Sequence, residues 1–320
     1  MGQIWYNRVL LVNIEAIMID LGIVIVNWNT ADELERCLQT VFASEGITYR
    51  VVVVDNGSTD DSIRMIRNEF PQVELIETGQ NLGYPKGNNV GLRHLGYHGV
   101  HQVDNDAPRY ALLLNPDTEL PSQALAQMTQ FMDEHPEIGI AGPKLVLPDG
   151  SLDRACRRGF PTPLVSFYHF SGLAKLFPKN KQFGRYNMTF ADPDEQLEVD
   201  SVVGAYLQIR KDAIADVGLL DEIYFMYAED IDWCYRVKAA NWKIWYYAPV
   251  IVYHVKRAAS SKNAKAQFEF WRAMLIFYRK YYRSTTPLIV HTMILFALLF
   301  KGGPDLWQEI RQPSVSPMSA

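Results

Sequence analysis

Cysteine is scarce. Cys37, Cys156 and Cys234 are the only three in 320 residues, and no two form a CxxC pair. So sparse and odd a set excludes a disulfide framework and fits reduced thiols in a cytoplasmic protein. Positive charge is in deficit: 31 Lys and Arg against 36 Asp and Glu leave a formal charge of −5. A general nucleic-acid binder carries the opposite balance, so no nucleic acid is expected as a partner. No apolar run reaches the roughly 20 residues of a membrane-spanning helix. The opening "MGQIWYNRVLLVNIEAI" is too short in its apolar part for a secretion signal. Tyr6 stands where a myristoylation motif needs Ser or Thr. Residues 1–17 read as an appendage or an upstream start ahead of Met18, with an ordinary disordered or edge-packed tail the equal alternative. Neither GxGxxG nor GxxxxGK occurs in the glycine-rich loop "NLGYPKGNN", which excludes the dinucleotide and P-loop sites.

What is present is ordinary globular material, 48% hydrophobic and 21% charged. "IMIDLGIVIVNWN" is a near-continuous apolar run, as in a strand buried on both faces of a parallel sheet. "TADELERCLQTVFAS" follows as a helix, with Thr30 as its expected N-cap and Leu34, Cys37, Leu38 and Val41 at helical spacing. "RVVVVDNGSTDDS" repeats the strand and turn, and "DSIRMIRNEF" the helix. "VELIET" and "RYALLLNPDTEL" add strands, with helices around Asn88–Leu95 and from Pro121. Strand–helix alternation predicts an α/β fold with a mostly parallel sheet. Residues 148–200 loosen into a loop-rich insertion, after which "GAYLQIRKDA" and "NWKIWYYAPVIVYHV" resume the pattern.

Ligands bind such sheets beyond the carboxyl ends of the strands. Asn27, Trp28 and Asn29 end the first strand, and Asp55, Asn56 and Gly57 the second. Asp55 can accept hydrogen bonds from a nucleobase and Trp28 can cover its face. Turn and cap chemistry explains "DNGSTD" equally well. The loop Asn81–Asn89 offers close backbone approach at Gly83 and a cation at Lys86. Asp117, just past three leucines, is placed for a divalent cation that bridges a diphosphate. His254 ends another apolar strand and is a candidate second ligand.

"FMYAEDIDWCYR" crowds Glu229, Asp230 and Asp232 among aromatics. The first turn of a helix favours negative charge, and Arg236 is spaced to pair with Asp232. Asp230 is left without a structural reason. Farther on, Lys256–Arg283 carries eight Lys or Arg and one acid, interleaved with aromatics, before the apolar "PLIVHTMILFALLF". That order reads as an in-plane membrane anchor, with a buried terminal helix as the alternative.

Taken in order, "VIVNWNTADELERCLQTV", "VVVVDNGSTDDS", "NLGYPKGNN", "LLLNPDTEL", "GAYLQIRKDA" and "DEIYFMYAEDIDWCYRV", closed by His254, resemble glycosyltransferase family 2 over residues 20–255. The nearest likeness is to bacterial rhamnosyltransferase-like members. The resemblance implies a GT-A fold: a Rossmann-like sheet flanked by helices, with a C-terminal helical extension. Residues 18–120 would be the nucleotide-sugar half, 121–255 the acceptor half and 256–320 a membrane-associating extension. Asn27, Trp28, Asn29, Asp55, Gly57, Asn81, Gly83, Lys86, Asn115 and Asp117 would hold the nucleotide-sugar. Asp117 and His254 would bind Mg2+ or Mn2+, and Asp230 would be the catalytic base. Gly204, Glu229, Asp232 and Trp233 would bind the acceptor or anchor the helix; Tyr227 and Trp233 are candidate sugar walls, with ordinary core packing as their default reading. Asn115 stands where the family's DxD motif has its first acid, and Pro85 where a small residue is common.

The implied reaction is inverting transfer from a dTDP- or UDP-sugar, best matched by dTDP-L-rhamnose, to a glycan or polyprenyl-linked acceptor at the inner face of the cell membrane. A homo-oligomer is left open. The rivals are a sugar-phosphate nucleotidyltransferase, whose glycine-rich N-terminal signature is absent, and a catalytically inactive nucleotide-binding module. The intact Asp117, Asp230 and His254 weigh against the latter.

Overall fold

The computed structural model describes residues 19–255 and 264–311. The expected appendage 1–17 and the start of the basic segment lie outside them. In chain order the elements are β1 Leu21–Asn27, α1 Ala31–Phe42, β2 Tyr49–Asp55, α2 Ser62–Glu69, β3 Glu74–Glu77, α3 Tyr84–His94, β4 Tyr97–Gly99, β5 Gln102–Val103, β6 Tyr110–Leu114, β7 Thr118–Glu119 and α4 Ala124–Glu134. They continue with β8 Ile138–Val146, α5 Pro163–Phe170, α6 Leu173–Leu176, β9 Leu197–Glu198, β10 Tyr206–Arg210, α7 Lys211–Val217, α8 Glu229–Ala239, β11 Lys243–His254, α9 Ala264–Tyr281, α10 Leu288–Gly302 and α11 Leu306–Arg311.

The main sheet runs β3-β2-β1-β6-β10-β8-β11-β7, with β9 on β11. β1, β2, β3 and β6 are mutually parallel, and β8 and β11 run the same way; β10, β7 and β9 are antiparallel to their neighbours. The expected mostly parallel α/β sheet is therefore present. β10, inserted between β6 and β8, carries one hydrophobic core continuously from Leu21 to Val252.

The local reasons match the sequence pattern. All seven residues of β1 are buried, which selects Leu, Ile and Val on both faces. In α1 the buried set includes Leu34, Cys37, Leu38 and Val41, the apolar stripe read from spacing. Thr30 does not cap that helix with its side chain; its hydroxyl donates to Asn27 Oδ1 at 2.7 Å. The free N–H of Ala31 instead donates to Asp60 Oδ2 at 3.0 Å. α3 begins at Tyr84, earlier than the glycine-rich loop suggested. Pro85 sits in its first turn, where a missing N–H costs nothing. α4 begins at Ala124, with Pro121 in the turn ahead of it.

α9, α10 and α11 form small apolar clusters of their own. One joins Ala273 and Ile276 to Tyr224 and Ala228, and another joins Leu275, Leu298 and Leu306. Among the described residues no helix is long and apolar enough to cross a membrane.

Candidate active site

Because β1, β2 and β6 are parallel, their carboxyl ends share one edge of the sheet. There Asn27 and Asp55 are register partners. Asn27 Nδ2 donates to Asp55 Oδ2 at 2.9 Å and to Ser58 Oγ at 3.1 Å. Asp55 Oδ1 accepts from the backbone N–H groups of Gly57 at 3.1 Å and Ser58 at 2.8 Å. Asn29 Oδ1 accepts from Thr59 N–H at 2.7 Å. The two strand-end turns are thus stitched together, and fully buried Asp55 holds its own turn. Gly57 has φ +77°, and a Cβ there would lie 2.8 Å from the Gln80 backbone. Trp28 stands out from this edge, 52% exposed.

The glycine-rich loop is tied both ways. Asn81 Oδ1 accepts from Gly83 N–H at 2.9 Å, and Asn56 Nδ2 donates to Gly83 O at 3.0 Å. Gly83 has φ +85°, and a Cβ would meet Phe225 O at 2.5 Å. That close approach lets Tyr84 N–H donate to the same oxygen at 2.8 Å. The loop therefore fixes the chain that leads into α8. Lys86 is exposed on α3.

Beside this edge lies a cavity of about 430 Å3. Of the residues predicted from sequence, Asn115, Asp117, Gly204, Glu229, Asp230 and His254 line it. Asn27, Trp28, Asn29, Asp55, Gly57, Asn81, Gly83 and Lys86 belong to the strand-end turns and loop outside its wall. Tyr227 lines the cavity, but Trp233 does not. Trp233 is fully buried and donates Nε1–H to Gly218 O at 2.9 Å, so it packs the core and is no sugar wall.

Asp117 and His254 meet across the cavity floor, with His254 Nε2 at 3.3 Å from Asp117 Oδ1. Behind the ring, His254 Nδ1 lies 2.9 Å from Asp153 Oδ2. Burial pulls the imidazole pKa down, but hydrogen bonds to Asp117 and Asp153 outweigh it and take it up to about 9. Asp153 fixes the ring so that Nε2 points at Asp117, the arrangement of a histidine ligand with an orienting carboxylate behind it. Among the described residues no group of three or more His, Cys, Asp and Glu is arranged to hold a metal. One carboxylate and one imidazole still fit a hard divalent cation that completes its shell with phosphate and water oxygens.

α8 enters the cavity under strain. Tyr227 and Ala228 precede it with φ +70° and +61°, a left-handed pair that costs about 1–3 kcal/mol per residue. The bend places Glu229 and Asp230 on the wall. Asp230 Oδ2 accepts from Arg158 Nη2 at 2.7 Å and Gly204 N–H at 3.1 Å, and Oδ1 from Ile231 N–H at 2.7 Å. A carboxylate has about four acceptor positions, so three donors leave one for a ligand hydroxyl. Glu229 Oε2 is buried without a hydrogen-bond partner among the described residues. Burial first, and the Asp230 charge second, push the Glu229 carboxyl up to about 8.

Asp232 faces away. It is fully buried and takes Arg236 Nε at 2.9 Å, the predicted pairing, but also Lys280 Nζ at 2.7 Å and Tyr281 O–H at 2.7 Å from α9. Lys280 bridges on to Asp221 at 2.6 Å. Asp232 is thus the anchor of the C-terminal helix, not an acceptor contact.

Sequence reasoning missed Arg158 and Asp153 in the insertion, Tyr84 in α3, and Phe270 and Met274 of α9, which close one side of the cavity. The "DRACRR" run, with two adjacent arginines in a loop, was the available signal for the first two.

This geometry can be set beside known proteins. Residues 20–270 match the family model described as glycosyltransferase like family 2. The chain belongs to this family. Within it, the glycosyltransferase is 28% identical over 243 residues to the N-acetylglucosaminyl-diphospho-decaprenol L-rhamnosyltransferase of Mycobacterium tuberculosis, covering 76% of this chain and 78% of that protein. It is 25% identical over 234 residues to the rhamnosyltransferase WbbL of Escherichia coli, covering 70% and 79% respectively. Its fold is similar to that of the mannosyltransferase PcManGT of Pyrobaculum calidifontis, with TM-score 0.54, 14% identity, and 92% of this chain and 76% of that one covered. It is also similar to S. aureus TarS 1-349, with TM-score 0.52, 15% identity and coverage of 82% and 65%. The transferase thus spans a little under two thirds of that TarS chain. These likenesses establish the GT-A fold.

Proposed function

We propose that the protein transfers a sugar, with inversion and with a divalent cation, from a nucleotide-sugar to a glycan or lipid-linked acceptor in cell-surface polysaccharide synthesis. The observation that carries this is Asp230, held by Arg158 and Gly204 with one acceptor position left, on the same cavity wall system as Asp117 and His254. In the reaction an acceptor oxygen attacks the anomeric carbon, the bond from that carbon to the diphosphate breaks, and the hydroxyl proton passes to Asp230. A bound Mg2+ or Mn2+ would neutralise charge on the departing diphosphate, and Asp117 and His254 are the residues to hold it. The PcManGT structure was solved with GDP-Man and Mn2+, which supports both the donor class and the metal.

The stitched turns of Asn27–Asn29 and Asp55–Gly57, with the Asn81–Lys86 loop, form the donor side. Trp28 is the exposed ring there. Asp55 acts mainly by holding the turn, so base contacts would come from backbone groups and from the turn it shapes. Glu229, kept protonated near neutral pH, can donate to an acceptor or donor hydroxyl. The two rhamnosyltransferase relatives support rhamnose as the sugar transferred, and dTDP-L-rhamnose is the donor we propose. A decaprenyl-linked acceptor in the first of them fits a peripheral position at the inner face of the membrane, reached through the C-terminal helices.

The experiment is nucleoside diphosphate release from dTDP-L-rhamnose, UDP-sugars and GDP-mannose, with Mn2+ or Mg2+ and a lipid-diphosphate-linked sugar acceptor. Turnover with one donor, lost on chelation, is expected. Release of diphosphate from none of them with any acceptor sinks the reading.

A further inference from the structure

The sixteen large apolar side chains that stand exposed among the described residues are not scattered. Twelve fall in two stretches, five in 164–177 and seven in 288–307. The first is the insertion's α5–α6 pair, with Phe167 59% and Leu176 70% exposed; the second is α10–α11, with Ile289 77% and Phe296 71% exposed. Trp271 of α9 joins them. Its ring lies 5.2 Å from that of Phe170 at the end of α5. On another side it packs against Gly302 at the end of α10, where a Cβ would lie 3.0 Å from Trp271 Cβ.

Charge follows the same map. From Arg154 to Ala191 there are seven Lys or Arg and no acid, of which Arg157 and Arg158 are buried; from Phe270 to Pro304 there are five and no acid, of which Lys280 is buried, and Asp305 and Glu309 follow at α11. Lys175, Lys179, Lys181 and Lys301 are exposed. Contiguous apolar surface of this kind marks a binding face. Lysine is depleted where proteins bind proteins, whereas lysines flanking exposed apolar helices suit lipid phosphates. α10 is 15 residues, or about 22 Å, short of the roughly 30 Å of a bilayer core, and only Leu298 in it is buried. Such a helix lies in the interface plane.

We propose that α5–α6 and α10–α11 form one docking face for an anionic lipid bilayer. The insertion is then half of the membrane contact, and the C-terminal helices are not the sole anchor. α9 serves both sides, since Phe270 and Met274 line the cavity while Trp271 joins the two halves of the face. The cavity is thereby held at the bilayer surface. Only the purpose of that placement, meeting a lipid-linked acceptor, rests on the transfer reading.

The test is co-sedimentation of the full chain with vesicles of phosphatidylcholine, with and without phosphatidylglycerol. The parent should bind the phosphatidylglycerol vesicles. Phe167→Asp/Leu176→Asp and Lys175→Glu/Lys179→Glu/Lys181→Glu should each weaken that binding about tenfold or more. Ile289→Asp/Phe296→Asp should do the same from the other half. All these side chains are exposed, so thermal midpoints should stay put; if the aspartates disturb folding, Phe167→Ala/Leu176→Ala should still weaken binding. Parent-like binding by the α5–α6 variants overturns the proposal, as does equal binding to neutral vesicles. So does a parent dimer that the same substitutions dissolve. Vesicle binding needs no turnover, so a lack of diphosphate release in every protein would sink the transfer reading and leave this result standing.

Discussion

The turns that end β1 and β2 and the first turn of α8 both bury carboxylates, and they satisfy them in opposite ways. Asp55 is held by Gly57 and Ser58, two and three residues along its own chain, and by Asn27 on the adjacent strand. Asp230 and Asp232 are held from afar, by Arg158 at 72 residues' separation and Lys280 at 48. A locally satisfied turn forms with its strand and serves as a rigid platform. A carboxylate completed by distant cations exists only once the insertion and the C-terminal helix have docked. The α8 turn also separates two roles within three residues. Asp232 takes its cations away from the cavity, while Asp230 lines the cavity and accepts three hydrogen bonds.

The sharpest way to separate those roles is Asp230→Asn. It should lower transfer by about three orders of magnitude while leaving donor binding near that of the parent. Because Arg158 loses the charge it is buried against, the thermal midpoint should also fall, with a stability loss of at most the about 3–5 kcal/mol of a broken buried ion pair. Full activity would remove Asp230 from the chemistry. Lys280→Met strikes the other side of α8. Removing one partner of a buried ion pair costs about 3–5 kcal/mol, so chemical denaturation should show a loss of that order. An unchanged midpoint would show that α9 is not anchored through Asp232.

Asp55→Ala probes the local platform. It strands the N–H groups of Gly57 and Ser58, which should cost about 1–3 kcal/mol of stability and weaken nucleotide-sugar affinity in calorimetry. Unaltered affinity would mean that the donor does not use this turn. The mildest probe is Glu229→Gln. The folded carboxyl is held above its ordinary 4.5, so its stabilising proton is fully kept below that value and lost as pH rises through about 8. Stability of the parent should therefore decline across that window, and the variant should decline less. Parallel pH profiles would show that Glu229 is not the group responsible.

Much of the fold was legible because its signals are periodic. The all-buried valines of β2 and the stripe Leu34–Val41 of α1 declare strand and helix without knowledge of their partners. Asp117, Asp230 and His254 were legible as polar residues at the ends of apolar elements. Arg158, Asp153 and Phe270 were not, because nothing in a loop or an amphipathic helix announces which distant cavity it will close. Trp233 shows how spacing alone leaves a choice open: an aromatic beside acids reads either as a sugar wall or as core, and helical geometry turns it into the core.

By itself the sequence determined the order of strands and helices, the strand-end turns and the family, since all of these rest on local spacing and on which faces must leave water. Tertiary structure decided which carboxylate stays available. Arg158 and Lys280 reach Asp230 and Asp232 only through packing, and a buried charge takes its role from the partners that packing brings to it.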